Sequence, residues 1–405
     1  MKKFVELFTN EVYERYKDDK ESMVLGTLSM IKKALKDSDR LIGYKIEFDL
    51  ESLMVVLQDL ASDLDRPMSP PTAAFILSTL NDTEIPVKKY DIKSFRRAFD
   101  NDAKKLLEHL QWFIFEKCFE PIRKGQSESD AFSFLDIFYG PLFATIENGI
   151  VSNNTSWIFT TNWDLCLKQW LEYARITFED GTQLDGQRKS VLRPSDGWND
   201  ANRTVKVVPL HGCYDLIQCK RFVSRKGYSE IQKLSNPEIY FAGNKPEISK
   251  AFIVYPLEAV GYDQTIKSPY LDMLVLLKEE LRRETNVFII GFSFRDSIIA
   301  SIFDEIIREK SERTQEKFLK ILLIDSAPLT VVENLKRQGY VNIANAITPV
   351  EVSFPDVLEC KLKRNEILTG MQSMIASIFG AMHSAKIDYA QSTIVQSLEQ
   401  YGLHL

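Results

Sequence analysis

Five short apolar runs constrain this chain more than any other feature. They occupy residues 156–164, 205–212, 251–256, 286–293 and 318–325. Several are followed at once by polar residues and then by a helical pattern. Strands buried on both faces of a parallel sheet read as continuous apolar runs, not as alternation. Strands separated by helical segments argue for an α/β sheet. The central part of the chain is therefore expected to be an α/β core.

The flanks read differently. Residues 1–150 look mainly helical: Leu50, Leu53, Met54, Leu57 and Leu60 recur at helical spacing, as do Leu106, Leu107, Leu110 and Ile114. Pro67, Pro70 and Pro71 cannot sit inside a helix and mark a break. Residues 178–204, rich in Gly, Asp, Ser and Asn, read as a long loop between the first two strands. Residues 330–405 return to helix. There Ile367, Met371, Met374, Ile375, Ile378, Phe379 and Met382 form one apolar stripe. That stripe packs on the sheet or forms an oligomer contact, where Gly370, Ala376, Gly380 and Ala381 would allow close approach. The organisation expected is a helical lobe over 1–150, an α/β core over 151–330 and a helical segment over 331–405.

Composition excludes several classes. With 51 Lys+Arg against 57 Asp+Glu, the 405 residues carry a net charge of −6. That gives no general drive toward nucleic acid or an anionic membrane. The 44% hydrophobic and 27% charged content is that of a globular protein, not of a disordered or collagenous one. The five cysteines include no Cys-x-x-Cys pair, so no zinc-ribbon spacing exists and no disulfide framework is expected. That usage fits a reducing cytoplasm. Glu6 interrupts the N-terminus before any apolar run develops, so no signal peptide is read there. The longest uncharged stretch, 367–385, keeps its apolar residues on one face and reads as an amphipathic helix, not a membrane span. The chain has no P-loop, no Gly-x-Gly-x-x-Gly, no His-Glu-x-x-His and no Gly-x-Ser-x-Gly.

Ligands of open α/β sheets bind beyond the carboxyl ends of the strands. The first run ends in Thr160, Thr161, Asn162, Trp163 and Asp164, and the second in His211 and Gly212. The fourth ends in Gly291, Phe292, Ser293, Phe294, Arg295 and Asp296, and the fifth in Asp325 and Ser326. Together these ends could line one crevice. Asp164 and Asp296 each precede a helical pattern, so each is a helix cap or a site residue. Asn162 offers both a donor and an acceptor, enough to orient a ribose or a water. Gly291 makes a turn or lets the backbone approach a ligand. His211 ends an apolar strand and is a candidate general base, poised near neutral pH. Cys213 is a candidate nucleophile without other support. The Lys220, Arg221, Arg225 and Lys226 cluster reads as a solvated face or a phosphate contact.

In this order and spacing, the residues resemble the SIR2-like (sirtuin-related) family, and its bacterial defence branch more closely than the deacylases. Thr160 to Asp164 resembles the Thr-(Gln/Thr)-Asn-x-Asp motif, and His211-Gly212 the catalytic His-Gly. Gly291 to Asp296 resembles the Gly-(Tyr/Phe)-Ser-Phe-x-Asp signature of the defence proteins. The resemblance covers roughly residues 155–330 and implies a Rossmann-like parallel sheet with a large helical lobe and a C-terminal helical segment. It implies an enzyme that hydrolyses NAD+ to nicotinamide and ADP-ribose, with NAD as substrate and no zinc.

By the same resemblance, Asn162 positions the nicotinamide ribose and a water, and Asp164 supports the nicotinamide side. His211 is the general base. Gly291, Ser293 and Asp296 contact ribose and phosphates, Asp325 lies near the adenine, and Thr160, Thr161 and Gly212 complete the cofactor-binding set. Such proteins deplete NAD during phage infection. A homo-oligomer, or a partner such as a HerA-type ATPase or a phage-sensing protein, would hold the activity off otherwise. The alternative is a non-catalytic module that binds NAD or ADP-ribose and acts through assembly. One departure stands out: no Gly-Ala-Gly-x-Ser loop precedes the helix near Phe48. Either the chain starts late and lacks the first strand, or the pyrophosphate is bound differently.

Overall fold

The apolar runs fold as strands, each bounded by where its hydrogen-bond ladder ends. In the computed structural model the described residues are 2–18, 23–43, 45–46, 48–61, 69–82, 92–124, 156–163, 165–184, 189–193, 198, 205–219, 230–243, 251–253, 268–284, 286–312 and 319–351. Six helices open the described chain: α1 (Lys2–Tyr16), α2 (Val24–Lys36), α3 (Ser38–Ile42), α4 (Leu50–Leu60), α5 (Pro70–Asp82) and α6 (Ile92–Lys124). Then come β1 (Ser156–Thr160), α7 (Cys166–Tyr173), β2 (Phe178–Glu179), β3 (Thr182–Leu184), β4 (Ser190–Leu192), β5 (Val205–Pro209), β6 (Gly212–Cys219) and β7 (Glu230–Lys233). The rest is α8 (Pro237–Gly243), β8 (Ala251–Ile253), α9 (Tyr270–Arg283), β9 (Asn286–Ile290), α10 (Ser297–Glu312), β10 (Lys320–Asp325), α11 (Pro328–Arg337), α12 (Val341–Ala346) and β11 (Ile347–Glu351).

The chain divides into two units. The first comprises Met1–Glu120, Cys213–Arg221 and Leu234–Lys267. Its helices bury the stripes that their spacing predicts: Leu28, Ile31 and Leu35 of α2, Leu53, Val56, Leu57 and Leu60 of α4, and Ala74 and Phe75 of α5. Asp49 starts α4 by accepting the Ser52 N–H at 2.9 Å. Pro70 opens α5, where its missing N–H is no loss. The buried Asp59 carboxylate holds the chain just before that start, accepting from Ser69 N at 3.1 Å, Ser69 Oγ at 2.5 Å and Thr72 Oγ1 at 2.8 Å.

The second unit comprises Pro121–Gly212, Phe222–Lys233 and Ser268–Leu405. Its described strands form two parallel ladders. In one, β5 lies between β1 and β2; in the other, β10 lies between β9 and β11. The central strands are the most continuous apolar runs because both their edges and both their faces are covered. All of β5 is buried, as are Ile321, Leu322, Leu323 and Ile324 of β10. Trp170 and Leu171 of α7 pack on Val205 and Val207, with Ile158 and Phe178 alongside. Helix α10 turns Ile299, Ala300, Phe303 and Ile306 inward. The single charge in β5, Lys206, is held by the Trp198 carbonyl, by Glu179 at 3.6 Å and by the Trp157 ring at 5.0 Å.

The structure corrects three expectations. Residues 178–204 are not simply a loop: β2 joins the β5 ladder, and β3 and β4 form an antiparallel pair continued by β7. Strands β2, β3 and β4 are two or three residues long, too short to show a period. The run at 251–256 yields β8, a neighbour of β6 and not a member of either parallel ladder. Residues 347–351, read as helical, are the strand β11. The apolar stripe from Ile367 to Met382 lies outside the described residues. Among the described residues no helix is long and apolar enough to cross a membrane.

Candidate functional site

The site residues leave four strand ends, and the ladder registers decide which of them meet. Thr160 is opposite Pro209 in the parallel pair β1–β5. The ladder runs one bond further, from Leu210 N–H to the Thr160 carbonyl at 2.8 Å. Asn162 and His211 therefore stand at equivalent positions, each two residues beyond a neighbouring strand end. Thr160 Oγ1 accepts the Asn162 N–H at 3.1 Å and fixes the turn out of β1. Asn162 is exposed and Thr161 half-buried. Gly212 follows His211 with φ of +78°, a left-handed turn suited to glycine, and it directs the chain out of β5.

The second pair of ends is built alike. The Gly291 N–H donates to the Ile324 carbonyl at 2.9 Å, which places Gly291 beside the end of β10 that carries Asp325. Gly291 has φ of +62°, and a Cβ there would meet nothing within 4 Å. The backbone angle, not crowding, is what calls for glycine. Asp325 Oδ1 accepts the Ala327 N–H at 2.8 Å and shapes the turn into α11. Ser293 is exposed. Phe294, also left-handed at φ of +56°, is buried edge-on against Phe303 of α10, with ring centroids 5.4 Å apart.

Asp296 joins the two ladders. Its Oδ2 lies 2.8 Å from His211 Nε2. Its Oδ1 accepts the N–H groups of Ile298 at 2.9 Å and Ile299 at 3.0 Å, capping α10. Both roles open to Asp296 in the sequence are occupied, one by each oxygen, except that its partner is an imidazole. Burial by itself would raise this carboxyl's pKa. The hydrogen bond and charge of His211, with the two backbone N–H groups, outweigh that and hold it below the usual carboxylate range.

Thus the structure gives Asn162 and His211 equivalent positions past neighbouring strand ends, sets Gly291 beside the end of β10 that carries Asp325, and brings His211 onto Asp296. Asp164 lies outside the described residues. Cys213 is buried in β6, a strand of the first unit. The His211–Asp296 pair had no local signal in the sequence, since 85 residues separate its members. A separate concavity of about 450 Å³ is lined by Glu172, Arg175, Phe178, Glu179, Asp180 and Lys233. It lies where the chain enters β2, at the amino ends of the strands, and contains none of the candidate residues. Among the described residues no three His, Cys, Asp or Glu side chains come together as a metal site.

These polar groups stand beyond the carboxyl ends of parallel strands, where open α/β sheets bind their ligands. Comparison with protein families narrows this: residues 156–343 match the SIR2-like domain, from the first residue of β1 into α12. No curated protein matches the chain. SIR2-like domains bind NAD, and this likeness suggests an NAD-related function for the matched region.

Proposed function

We propose that this chain is an NAD+ hydrolase that cleaves the nicotinamide–ribose bond to give nicotinamide and ADP-ribose. The observation that supports the reading is the pairing of Thr160 with Pro209, from which Asn162 and His211 each follow by two residues within the region that matches the SIR2-like domain. Nicotinamide leaves as a neutral molecule, so the demand on the protein is modest. It must hold the ribose, tolerate an oxocarbenium-like transition state and supply an oxygen nucleophile. Asn162 orients the water or ribose hydroxyl through its amide, and His211 removes the proton. Gly291, Ser293 and Asp325 line the neighbouring ends, where backbone and hydroxyl groups can meet ribose and phosphate oxygens. Thr160, Thr161 and Gly212 shape the turns around them, and Asp164 keeps its proposed place on the nicotinamide side.

The reading extends to a cytoplasmic effector of anti-phage defence that depletes NAD and is restrained by self-assembly or by a partner ATPase or sensor. That extension rests on the motif resemblance. The test is direct. The full chain is incubated with NAD+ and free nicotinamide is measured by chromatography. Turnover is expected, and His211→Ala and Asn162→Ala should each lower it by about 10²–10⁴-fold with the fold intact by circular dichroism. Wild-type protein that binds NAD+ by calorimetry yet releases no nicotinamide would instead mark a binding module.

A further inference from the structure

We infer that Asp296 is a positioning residue for His211: it holds the imidazole with its proton on Nε2 and leaves Nδ1 as the basic atom. The inference rests on the hydrolase reading and assigns a role within it. An ionised carboxylate has only lone pairs to offer. At 2.8 Å from Oδ2, Nε2 must therefore carry the hydrogen. Among the described residues no group bonds Nδ1, so that lone pair stays available. Oδ1 is fixed by two backbone N–H groups of α10, so the carboxylate is anchored to a helix and not carried on a free rotamer.

The motif resemblance assigns Asp296 to ribose and phosphate contact instead. The geometry argues otherwise. Both oxygens are already engaged, and the side chain is only 12% exposed. A carboxylate kept ionised would also repel a pyrophosphate. In the reaction, Nδ1 takes a proton from the attacking water as its oxygen bonds to the ribose carbon. The carbon–nitrogen bond breaks and its electron pair leaves with nicotinamide. The imidazolium so formed is stabilised by Asp296 and returns its proton to solvent.

Asp296→Asn separates the alternatives. Asparagine caps helices well, so its oxygen keeps the bonds to Ile298 and Ile299. Its NH2 group then faces Nε2 and forces the proton onto Nδ1. We expect kcat to fall about 10²–10⁴-fold while KM for NAD+ stays within about threefold. Asp296→Glu should recover part of the loss. The second readout is the imidazole ¹⁵N spectrum of histidine-labelled full chain, with His211 assigned by comparison with His211→Gln. The wild type should show the Nε2–H form and Asp296→Asn the Nδ1–H form. An Nδ1–H wild type, or a variant with raised KM and unchanged kcat, overturns the assignment. If the tautomer switches as stated but neither protein releases nicotinamide, the positioning role stands and the hydrolase reading falls.

Discussion

Gly181→Ala is the sharpest test of how β5 is held. Gly181 has φ of +77°, and a Cβ there would lie 2.5 Å from Trp198 Cη2 and 2.7 Å from Cε2, closer still to Cζ2. The Trp198 indole N–H donates to the Val207 carbonyl at 3.1 Å, and the Trp198 carbonyl receives Lys206. This ring therefore braces the strand that carries His211. Left-handed backbone with a side chain costs about 1–2 kcal/mol. Overpacking a filled site adds about 1–3 kcal/mol. The sum, about 2–5 kcal/mol, is a large share of the 5–15 kcal/mol that typical proteins hold. Gly291→Ala is the control: its φ of +62° brings the backbone cost, but open space surrounds its Cβ. Urea denaturation by circular dichroism should rank Gly181→Ala as the costlier by about 1–3 kcal/mol. Hydrogen exchange should show faster opening of residues 205–209 in that variant alone. Equal cost at the two glycines would refute the bracing argument.

Two further predictions concern pH. Burial would raise the carboxyl of Asp180, but Lys168, Lys233 and the Thr182 hydroxyl overcome this and hold it far below the usual range. Its contribution is therefore complete above about pH 4, the unfolded value, and fades as pH falls below that. Asp180→Asn should cost about 3–5 kcal/mol at pH 7, because it removes the charge that faces both Lys168 and Lys233 from a buried position, and the loss should shrink in urea titrations at pH 3. Glu280 is the opposite case. Burial, with Glu284 nearby, raises its carboxyl despite Arg283. Its contribution is present below about pH 4.3 and is lost as pH rises through the native value. Glu280→Gln should raise the urea midpoint at pH 7 and leave it unchanged at pH 4; a lowered midpoint at pH 7 would count against this.

How much the sequence disclosed follows from how each element is buried. Strands β5 and β10 were legible because central strands must be apolar on both faces, and their runs are unbroken. Helices α4 and α6 were legible from stripes that recur every three or four residues. Strand β2 was not, since two residues carry no pattern. Strand β11 was hidden by Pro349, which reads against a strand. It is tolerated because β11 pairs only with β10 among the described residues, and an edge has an N–H to spare. At the site, the strand-end residues were visible as polar breaks after apolar runs. The partner of His211 was not, because contact across 85 residues is a property of the fold and leaves no trace in local spacing.

The offset of two residues beyond Thr160 and Pro209 makes the mouth of the domain a counting device. One residue added or removed between Pro209 and His211 would re-aim the ring and break its 2.8 Å contact with Asp296. Leu210 and His211 are themselves buried, so the same change would disturb the packing at the end of β5. The length of this exit is therefore held by packing and by the ring's partner at once, and neither can be altered alone.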